Sequence, residues 1–178
     1  GVTSSSDIPT PNGYDQTFNG GWDIYVAKLS STGNSLLWGT YIGGTNWDYA
    51  NALSLDSSGN VVIAGYTWSS DIPTPNGYDP TNNGDYDIYV AKLSSTGNSL
   101  LWGTYIGGSD YEEAYALSLD SSGNVVVAGV TSSSDIPTPN GCDPTFNGWD
   151  DIYVSKLSST GNSLLWGTYI GGTGNDGA

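Results

Sequence analysis

The sequence predicts an all-β fold built by repetition, and three observations carry that prediction. The phrase I-P-T-P-N-G begins at Ile8, Ile72 and Ile136, so one unit recurs every 64 residues. A second phrase, L-L-W-G-T-Y-I-G-G, also occurs once in each unit. No apolar 3.6-residue period survives ten residues, which argues against helices. A fixed period of tens of residues indicates stacked supersecondary units, each covering the apolar face of its neighbour.

Each unit contains four stretches that are rich in β-branched and aromatic residues and bounded by turn signals. In the middle unit we name these strands a, b, c and d, and they span Ala50 to Asp56, Val61 to Thr67, Asp87 to Ser94 and Leu100 to Ile106. The connections D-S-S-G-N between a and b and S-S-T-G-N between c and d each carry a glycine where a tight turn needs positive φ. Both connections are therefore predicted to be hairpin loops.

Apolar residues lie on both faces of these strands, as in Val61-Val62-Ile63, so each sheet must be covered by another sheet on either side. A β-propeller blade meets that requirement. Strand a carries small residues suited to a crowded axis, and strand d carries bulky ones such as Trp38, Tyr41 and Ile42, expected toward the wide outer rim. The alternative is a β-trefoil, which also has three four-stranded units, but its units are usually shorter and less uniform.

The order of these motifs resembles a known family. The run D-I-Y-V-A-K-L-S-S-T-G-N-S-L-L-W-G-T-Y-I-G-G, followed by A-L-S-L-D-S-S-G-N-V-V-V-A-G-V-T-S-S-S-D-I-P-T, is similar to the SBBP β-propeller repeat of large exported bacterial and archaeal proteins. The resemblance covers essentially the whole chain. It implies a propeller and an extracellular setting, and it implies no catalytic residues.

The repeat units predict a ring of blades that is incomplete within this chain. We expect a partial blade with strands c and d at 1–46, full blades at 47–110 and 111–174, and the start of a further blade at 175–178. Fewer than four blades do not close a propeller. The expected partner is therefore the same repeat, either in continuing polypeptide or in a head-to-tail homo-oligomer or fibre.

Composition narrows the possible partners and the compartment. The 18 acidic residues face only three lysines, and this excess of negative charge disfavours nucleic acid and anionic lipid. No apolar run approaches the length that crosses a bilayer, so membrane insertion is not expected. A single cysteine, Cys142, excludes an internal disulfide framework and leaves a free thiol or an intermolecular disulfide. Richness in Gly, Ser, Thr, Asn and Tyr favours an extracellular or cell-surface location, although an acidic surface also suits high salt.

Differences between the units fall in the b-to-c and d-to-a connections, which lie at the same end of an up-and-down blade. These connections carry aromatic residues beside carboxylates and amides, a mixture that binds sugar rings by stacking and hydrogen bonding. Loop drift would produce the same variability. The candidate glycan-binding residues are Trp22, Trp47, Trp68, Tyr86, Tyr111 and Trp149.

Few residues are candidates for catalysis or metal binding. Without histidine there is no proton shuttle suited to neutral pH. Asp110, Glu112 and Glu113 could act as paired carboxylates in glycoside hydrolysis or hold calcium, or their charges could simply spread into solvent. We expect no required cofactor, with calcium the one left open, and no enzyme activity. The predicted function is a non-enzymatic, extracellular structural or adhesive propeller segment, and the alternative is a lectin-like module that uses the variable loops.

Overall fold

The structure is a computed structural model that describes residues 1–178, and it contains strands and no helices. Its eleven strands are β1 (Val2–Thr3), β2 (Asp23–Leu29), β3 (Leu36–Ile42), β4 (Asp48–Leu55), β5 (Val61–Thr67), β6 (Asp87–Leu93), β7 (Leu100–Ile106), β8 (Glu112–Leu119), β9 (Val125–Thr131), β10 (Asp151–Leu157) and β11 (Leu164–Ile170). No helix is present that could span a bilayer.

The strands form three antiparallel sheets in which neighbours in sequence are neighbours in space. One sheet has the order β4-β5-β6-β7 and another the order β8 to β11, so each is a four-stranded up-and-down blade. The remaining sheet, β1-β2-β3, contains strands c and d and a two-residue β1 that pairs with Ile24 and Asp23. The predicted all-β, blade-forming architecture is confirmed.

The predicted strand limits agree closely with the structure. Strands b and d match at both ends, and strand c ends one residue earlier, at Leu93. Strand a begins two residues earlier than predicted, at Asp48, and ends one residue earlier, at Leu55. Asp48 belongs to the strand because it pairs with Thr67 of β5, and its backbone N–H also donates to Trp22 O of the preceding blade at 2.7 Å. Sequence pattern alone does not show that bond.

Blades stack through two apolar clusters. One joins the partial blade to the second blade, with Trp38 and Ile42 packed among residues such as Tyr89 and Leu93. The other repeats the arrangement between the second and third blades. The first strands of the two full blades lie side by side, and Asn51 Nδ2 on β4 donates to Ala114 O on β8 at 2.9 Å. Strand a therefore lies on the inner side, where the blades converge.

Strand d does not form an open outer rim, because the b-to-c connection covers it. Gly103 N donates to Pro75 O at 3.1 Å and Tyr105 N donates to Asp79 O at 3.0 Å. Asn76, at φ 55°, makes the turn that lets its Nδ2 donate to Leu101 O at 3.1 Å. Tyr41 is buried beneath this connection, where its OH donates to Ser5 O, whereas Trp38 and Ile42 are almost fully buried against the second blade. All three residues were expected near the rim.

Two tyrosines in each blade hold this connection in place. In the second blade Tyr89 OH donates to Pro73 O at 2.7 Å, and Tyr105 OH donates to Ser69 O at 2.7 Å. Their rings meet edge to face at 6.2 Å. Equivalent bonds occur in the other two blades. The tyrosines thus satisfy their own hydroxyls while fixing a segment that has no strand structure.

The a-to-b and c-to-d hairpins lie together at one end of the blade, which we call the hairpin end. Asp56 accepts hydrogen bonds from the backbone N–H groups of Ser58 and Asn60, both at 2.9 Å, so D-S-S-G-N is a turn held by its aspartate. The same aspartate forms an ion pair with Lys92 on strand c at 2.7 Å. Asp120 pairs with Lys156 in the same way, at 2.7 Å. Two of the three recurring lysines, Lys92 and Lys156, therefore brace the a-to-b hairpins.

Candidate binding face

The opposite end of the blades, which we call the loop end, carries the b-to-c and d-to-a connections. Isolated parallel bridges join these connections in every blade: Trp22 to Trp47, Tyr86 to Tyr111, and Asp150 to Asn175. Trp47 O in turn accepts a hydrogen bond from Trp68 N at 2.8 Å. The two segments that vary between the units are therefore in direct contact.

Five of the six candidate aromatic residues belong to one cluster, which we call the aromatic cluster. Trp47 meets Trp68 edge to face at 5.5 Å, Trp68 lies 5.4 Å from Tyr86, and Tyr86 meets Tyr111 at 5.3 Å. Trp22 joins through Tyr49, which stacks on it at 6.4 Å. Sequence reasoning missed Tyr49 and Tyr66, which stack on each other at 4.7 Å inside this cluster.

The candidates differ in how far they face solvent. Trp22, Trp47 and Trp68 are each partly exposed, while Tyr86 and Tyr111 are half-buried. Trp149 makes no ring contact with the aromatic cluster and is 79% exposed. An indole that is so open to solvent contributes little to the fold, so it is free to stack on a ligand.

Glu113 is tied into the aromatic cluster by three side chains. Tyr111 OH donates to Glu113 Oε2, and Tyr115 OH donates to the same oxygen at 3.1 Å. Asn51 Nδ2, from the preceding blade, donates to Oε1 at 3.3 Å. Burial raises the pKa of Tyr111, and its bond to Glu113 raises it further. Burial likewise raises the pKa of Tyr66 to about 12, so both phenols stay protonated at neutral pH.

Glu112 points away from Glu113, because successive residues of a strand face opposite sides of the sheet. Its carboxylate is fully buried and accepts hydrogen bonds from Gly108 N at 2.7 Å and Thr131 Oγ1 at 2.6 Å. Asp110 is exposed. The structure brings no three His, Cys, Asp or Glu side chains together as a metal site. The geometry therefore gives no support to joint metal binding by Asp110, Glu112 and Glu113, nor to a solvated Glu112.

Buried carboxylates recur where strand a begins, and sequence reasoning missed this pattern. Asp48 accepts hydrogen bonds from Gly44 N at 2.8 Å, Ser69 Oγ at 3.0 Å and Thr67 Oγ1. Burial raises its pKa to about 6, and these hydrogen bonds only partly oppose the rise. The available signal was the recurrence of an acidic residue at this position, Asp48 and Glu112, beside otherwise variable neighbours.

A second set of buried carboxylates opens strand c. Asp87 accepts a hydrogen bond from Asn83 N at 3.0 Å, but its Oδ1 atom has no hydrogen-bond partner. Burial raises the pKa of Asp87 to about 7, opposed in part by that backbone bond and reinforced by the charge of Glu112. These carboxylates are structural anchors of the loop end, where they hold backbone N–H groups of the connections.

Two further features bear on what the loop end can do. A cleft of about 270 Å³ lies at the third blade, lined by Tyr111, Tyr115 and Asp150 among others. Cys142 is exposed, and its Sγ lies 3.3 Å from Thr168 Oγ1. A neighbouring hydroxyl is not a general base, so this thiol has no partner that would activate it.

These observations define the class of protein: an all-β repeat protein made of stacked, four-stranded antiparallel blades, with hairpins at one end and variable connections at the other. Within that class, residues 37–73 match the family model SBBP, described as a β-propeller repeat. The resemblance inferred from the motifs is thereby confirmed for this stretch, and the unit repeats it closely at 101–137.

Two curated proteins are similar to the chain. Regulatory protein FlaEY of Caulobacter vibrioides (strain ATCC 19089 / CIP 103742 / CB 15) is 33% identical over 149 residues, which is 83% of this chain and 15% of that protein. An uncharacterized WD repeat-containing protein of Acanthamoeba polyphaga mimivirus is 26% identical over 119 residues, which is 63% of this chain and 8% of that protein. The chain thus spans a small part of the length of both relatives.

Proposed function

We propose that this chain is a non-enzymatic, extracellular structural or adhesive propeller segment that packs against further copies of its own repeat. One observation supports the proposal. Two blade-to-blade interfaces occur inside the chain, and the first and third blades each expose the residues that form one side of such an interface. Ile42 and Ile106 are fully buried in these interfaces, whereas Ile170 of the third blade is 50% exposed. Leu93 and Leu157 are fully buried, whereas Leu29 of the first blade is 56% exposed.

The two exposed halves are complementary because the units are nearly identical. Trp38 and Trp102 each lie against a glycine of the next blade's c-to-d hairpin, Gly97 and Gly161. The corresponding Gly33 has no neighbour within 4 Å of where a Cβ would stand. A contact of this kind joins two different patches, so it propagates head to tail.

A non-enzymatic role is supported by the state of the acidic side chains. Glu112 and Glu113, the best candidates for paired carboxylates, face opposite sides of their strand and are both engaged by hydrogen-bond donors. A glycosidase needs its two carboxyl groups on either side of one scissile bond. A hydrolase screen in which turnover disappears with Glu112→Gln or Asp110→Asn would contradict this role.

The extracellular location rests on composition and on the SBBP resemblance, and the structural role fits a segment that matches 15% and 8% of two much longer relatives. Intact mass combined with light scattering tests the proposal. We expect native material to be either a longer polypeptide of the same units or a head-to-tail oligomer. A stable, monodisperse monomer of 18.6 kDa would contradict it.

A second candidate function, carbohydrate binding at the loop end, is favoured by the exposure of Trp149 and by the cleft beside Tyr111. Sugar rings stack on such indoles while carboxylates and amides bind hydroxyl groups. A glycan array tests it directly. Saturable binding that is lost with Trp149→Ala or Trp47→Ala would establish the lectin, and an array without binding would leave the structural role alone.

A further inference from the structure

Basic side chains are absent from the loop end. The chain contains three lysines and neither arginine nor histidine. Lys92 and Lys156 pair with the aspartates of the a-to-b hairpins at 2.7 Å, and Lys28 Nζ donates to Ser95 O of a c-to-d hairpin at 3.5 Å. Every lysine therefore contacts the hairpin end, and the carboxylates of the loop end have no basic side chain beside them.

Two indoles are the most open part of the aromatic cluster. Trp47 is 42% exposed and Trp68 is 44% exposed, and the two rings meet edge to face at 5.5 Å. In such a pair, the ring that presents its edge keeps both of its own faces free of the other ring. Both residues belong to the second blade, which has a blade on either side, so their exposure is a property of the repeat. Exposed indoles of this kind offer flat apolar faces to a ligand.

Carboxylates lie beside these rings. Asp85 directly precedes Tyr86 of the cluster, and its backbone N–H donates to Asp110 O at 3.0 Å. The side chains of Asp85 and Asp110 are both exposed. Burial raises the pKa of Tyr86, and the negative charges of Asp85 and Glu113 add to the rise. The aromatic cluster is therefore surrounded by negative charge that no residue of the chain neutralises.

This combination discriminates between classes of sugar. The face of an aromatic ring is negative because of its quadrupole, so the rings and the carboxylates both attract cations. A sugar that carries carboxylate or sulfate groups is repelled by the loop end. A neutral sugar gains stacking and hydrogen bonds, and a sugar with a protonated amine gains these contacts and ion pairs as well.

We propose that the loop end of the second blade binds amino-sugar polymers whose amines are free and therefore positively charged. Sugar rings stack on Trp47 and Trp68, beside Tyr86, and the protonated amines pair with the carboxylates of Asp85 and Asp110. A linear polymer carries an amine on every ring, so stacking and ion pairing occur in one complex. This inference rests on the carbohydrate binding proposed above as the second candidate function, and it names the class of sugar.

The test is isothermal titration calorimetry of the complete 178-residue chain with three probes. These are a β-1,4-linked tetramer of glucosamine, its fully N-acetylated counterpart, and tetralysine. Titration at about pH 6 keeps the exposed carboxylates ionised. We expect the free-amine tetramer to bind about tenfold more tightly than the acetylated one, because acetylation removes the charge. This advantage should shrink at about 1 M salt, where exposed charges are screened.

Variants of the chain separate stacking from ion pairing. Trp68→Ala should weaken binding of both tetramers by about three- to tenfold, because both stack on the indole. Asp85→Asn should weaken only the free-amine tetramer, by about two- to fivefold. Asp85 is exposed, so this substitution leaves the fold intact. The matched control is Asp120→Asn, which makes the same change of charge at the hairpin end and should leave the binding of both tetramers unchanged.

Three results would overturn the inference. The first is equal affinity for the two tetramers, in which case carbohydrate binding stands without a preference for amines. The second is a loss with Asp120→Asn as large as that with Asp85→Asn, because net charge alone would then attract the probe. The third is tetralysine that binds as tightly as the free-amine tetramer and depends equally on Trp68, which would make the partner a basic peptide.

The outcomes also separate this inference from the function on which it rests. If neither tetramer binds up to about 5 mM while the glycan array finds another sugar, the preference for amino sugars fails and carbohydrate binding stands. If the array is also empty, carbohydrate binding fails as well, and the structural role is unaffected.

Discussion

The two ends of each blade hold carboxylates in opposite ways. At the hairpin end, burial raises the pKa of Asp56, but hydrogen bonds from Lys92 and Asn60 outweigh it and hold the pKa below the usual range. The bond from Lys156 does the same for Asp120. At the loop end Asp48 and Asp87 have no lysine partner, and burial raises the pKa of both.

The difference shows what each end requires of an acidic residue. The hairpin end is repeated without change and uses a charged aspartate as one half of an ion pair. The loop end uses buried oxygens as acceptors for backbone N–H and hydroxyl groups, so that connections of different sequence can be fixed at the same place. The acidic residues therefore serve two separate structural roles, and the acidic composition is not by itself evidence of a ligand.

The largest effect should come from removing a loop-end acceptor. Asp48→Ala leaves Gly44 N–H and the hydroxyls of Thr67 and Ser69 without their acceptor, and we expect a loss of about 3 kcal/mol in unfolding free energy, measured by urea denaturation. The matched control is Asp48→Glu, because the third blade carries Glu112 at the same position. If the alanine and glutamate variants were equally stable, the acceptor role of Asp48 would be wrong.

The next effect concerns pH. The folded pKa values of Asp48 and Asp87, about 6 and about 7, lie above the ordinary value of 3.8. Their contribution to stability is therefore fully present below about pH 4 and is lost as pH rises through 6 and 7. We expect unfolding free energy to fall by roughly 2 kcal/mol from pH 6 to pH 8.

The ion-paired aspartates act in the other direction, because the contribution of Asp56 and Asp120 is present above about pH 4 and is lost on further acidification. Stability should therefore be greatest at about pH 4 to 5. Asp87→Asn should flatten the slope between pH 6 and pH 8 in urea denaturation. A slope unchanged in that variant, or stability that rises from pH 5 to pH 8, would contradict the assignment.

A smaller effect is expected at the hairpin end. Asp56→Ala removes both the ion pair with Lys92 and the acceptor for two turn N–H groups, and we expect a loss of about 1 to 2 kcal/mol at pH 7. Asp120→Ala should cost less, because the Lys156 pair is more exposed to water. Thermal melting of both variants in low and high salt checks this order, and a larger loss for Asp120→Ala would reverse it.

The smallest effect should be that of calcium. Because the loop-end carboxylates are engaged by hydrogen-bond donors, we expect weak, structural calcium dependence at most, with a change in melting midpoint of less than about 2 °C. Melting with excess calcium and then with chelator measures it. A shift of many degrees would mean that carboxylates such as Asp110 bind the ion after all.

Most of the fold could be predicted from the sequence because it depends on local pattern. Alternation, β-branched residues and the glycines of both turns place the four strands to within two residues, as Val61–Thr67 shows. The cover over strand d could not be predicted in this way. I-P-T-P-N-G-Y-D has no strand periodicity, and its role depends on tyrosines that lie far from it in sequence.

The loop end could be predicted only in outline. Up-and-down topology brings the two variable connections together, and the bridge from Tyr86 to Tyr111 agrees with that expectation. The direction in which each carboxylate points could not be assigned, because strand a starts earlier than its apolar residues do. This earlier start places the Glu112 carboxylate on the buried side of the strand, beside Thr131, and the Glu113 carboxylate beside Tyr111 and Tyr115.

The covered outer edge of each blade limits the directions in which copies of this chain can join. A bare edge strand offers a row of unpaired N–H and C=O groups to any other chain, which leads to sideways aggregation. Here the carbonyl oxygens of Pro75 and Asp79 accept hydrogen bonds from the N–H groups of Gly103 and Tyr105, so this edge of strand d is not free to pair with another strand. Molecules that repeat this unit in tandem can therefore reach high local concentration while growth stays confined to one axis, that of blade upon blade.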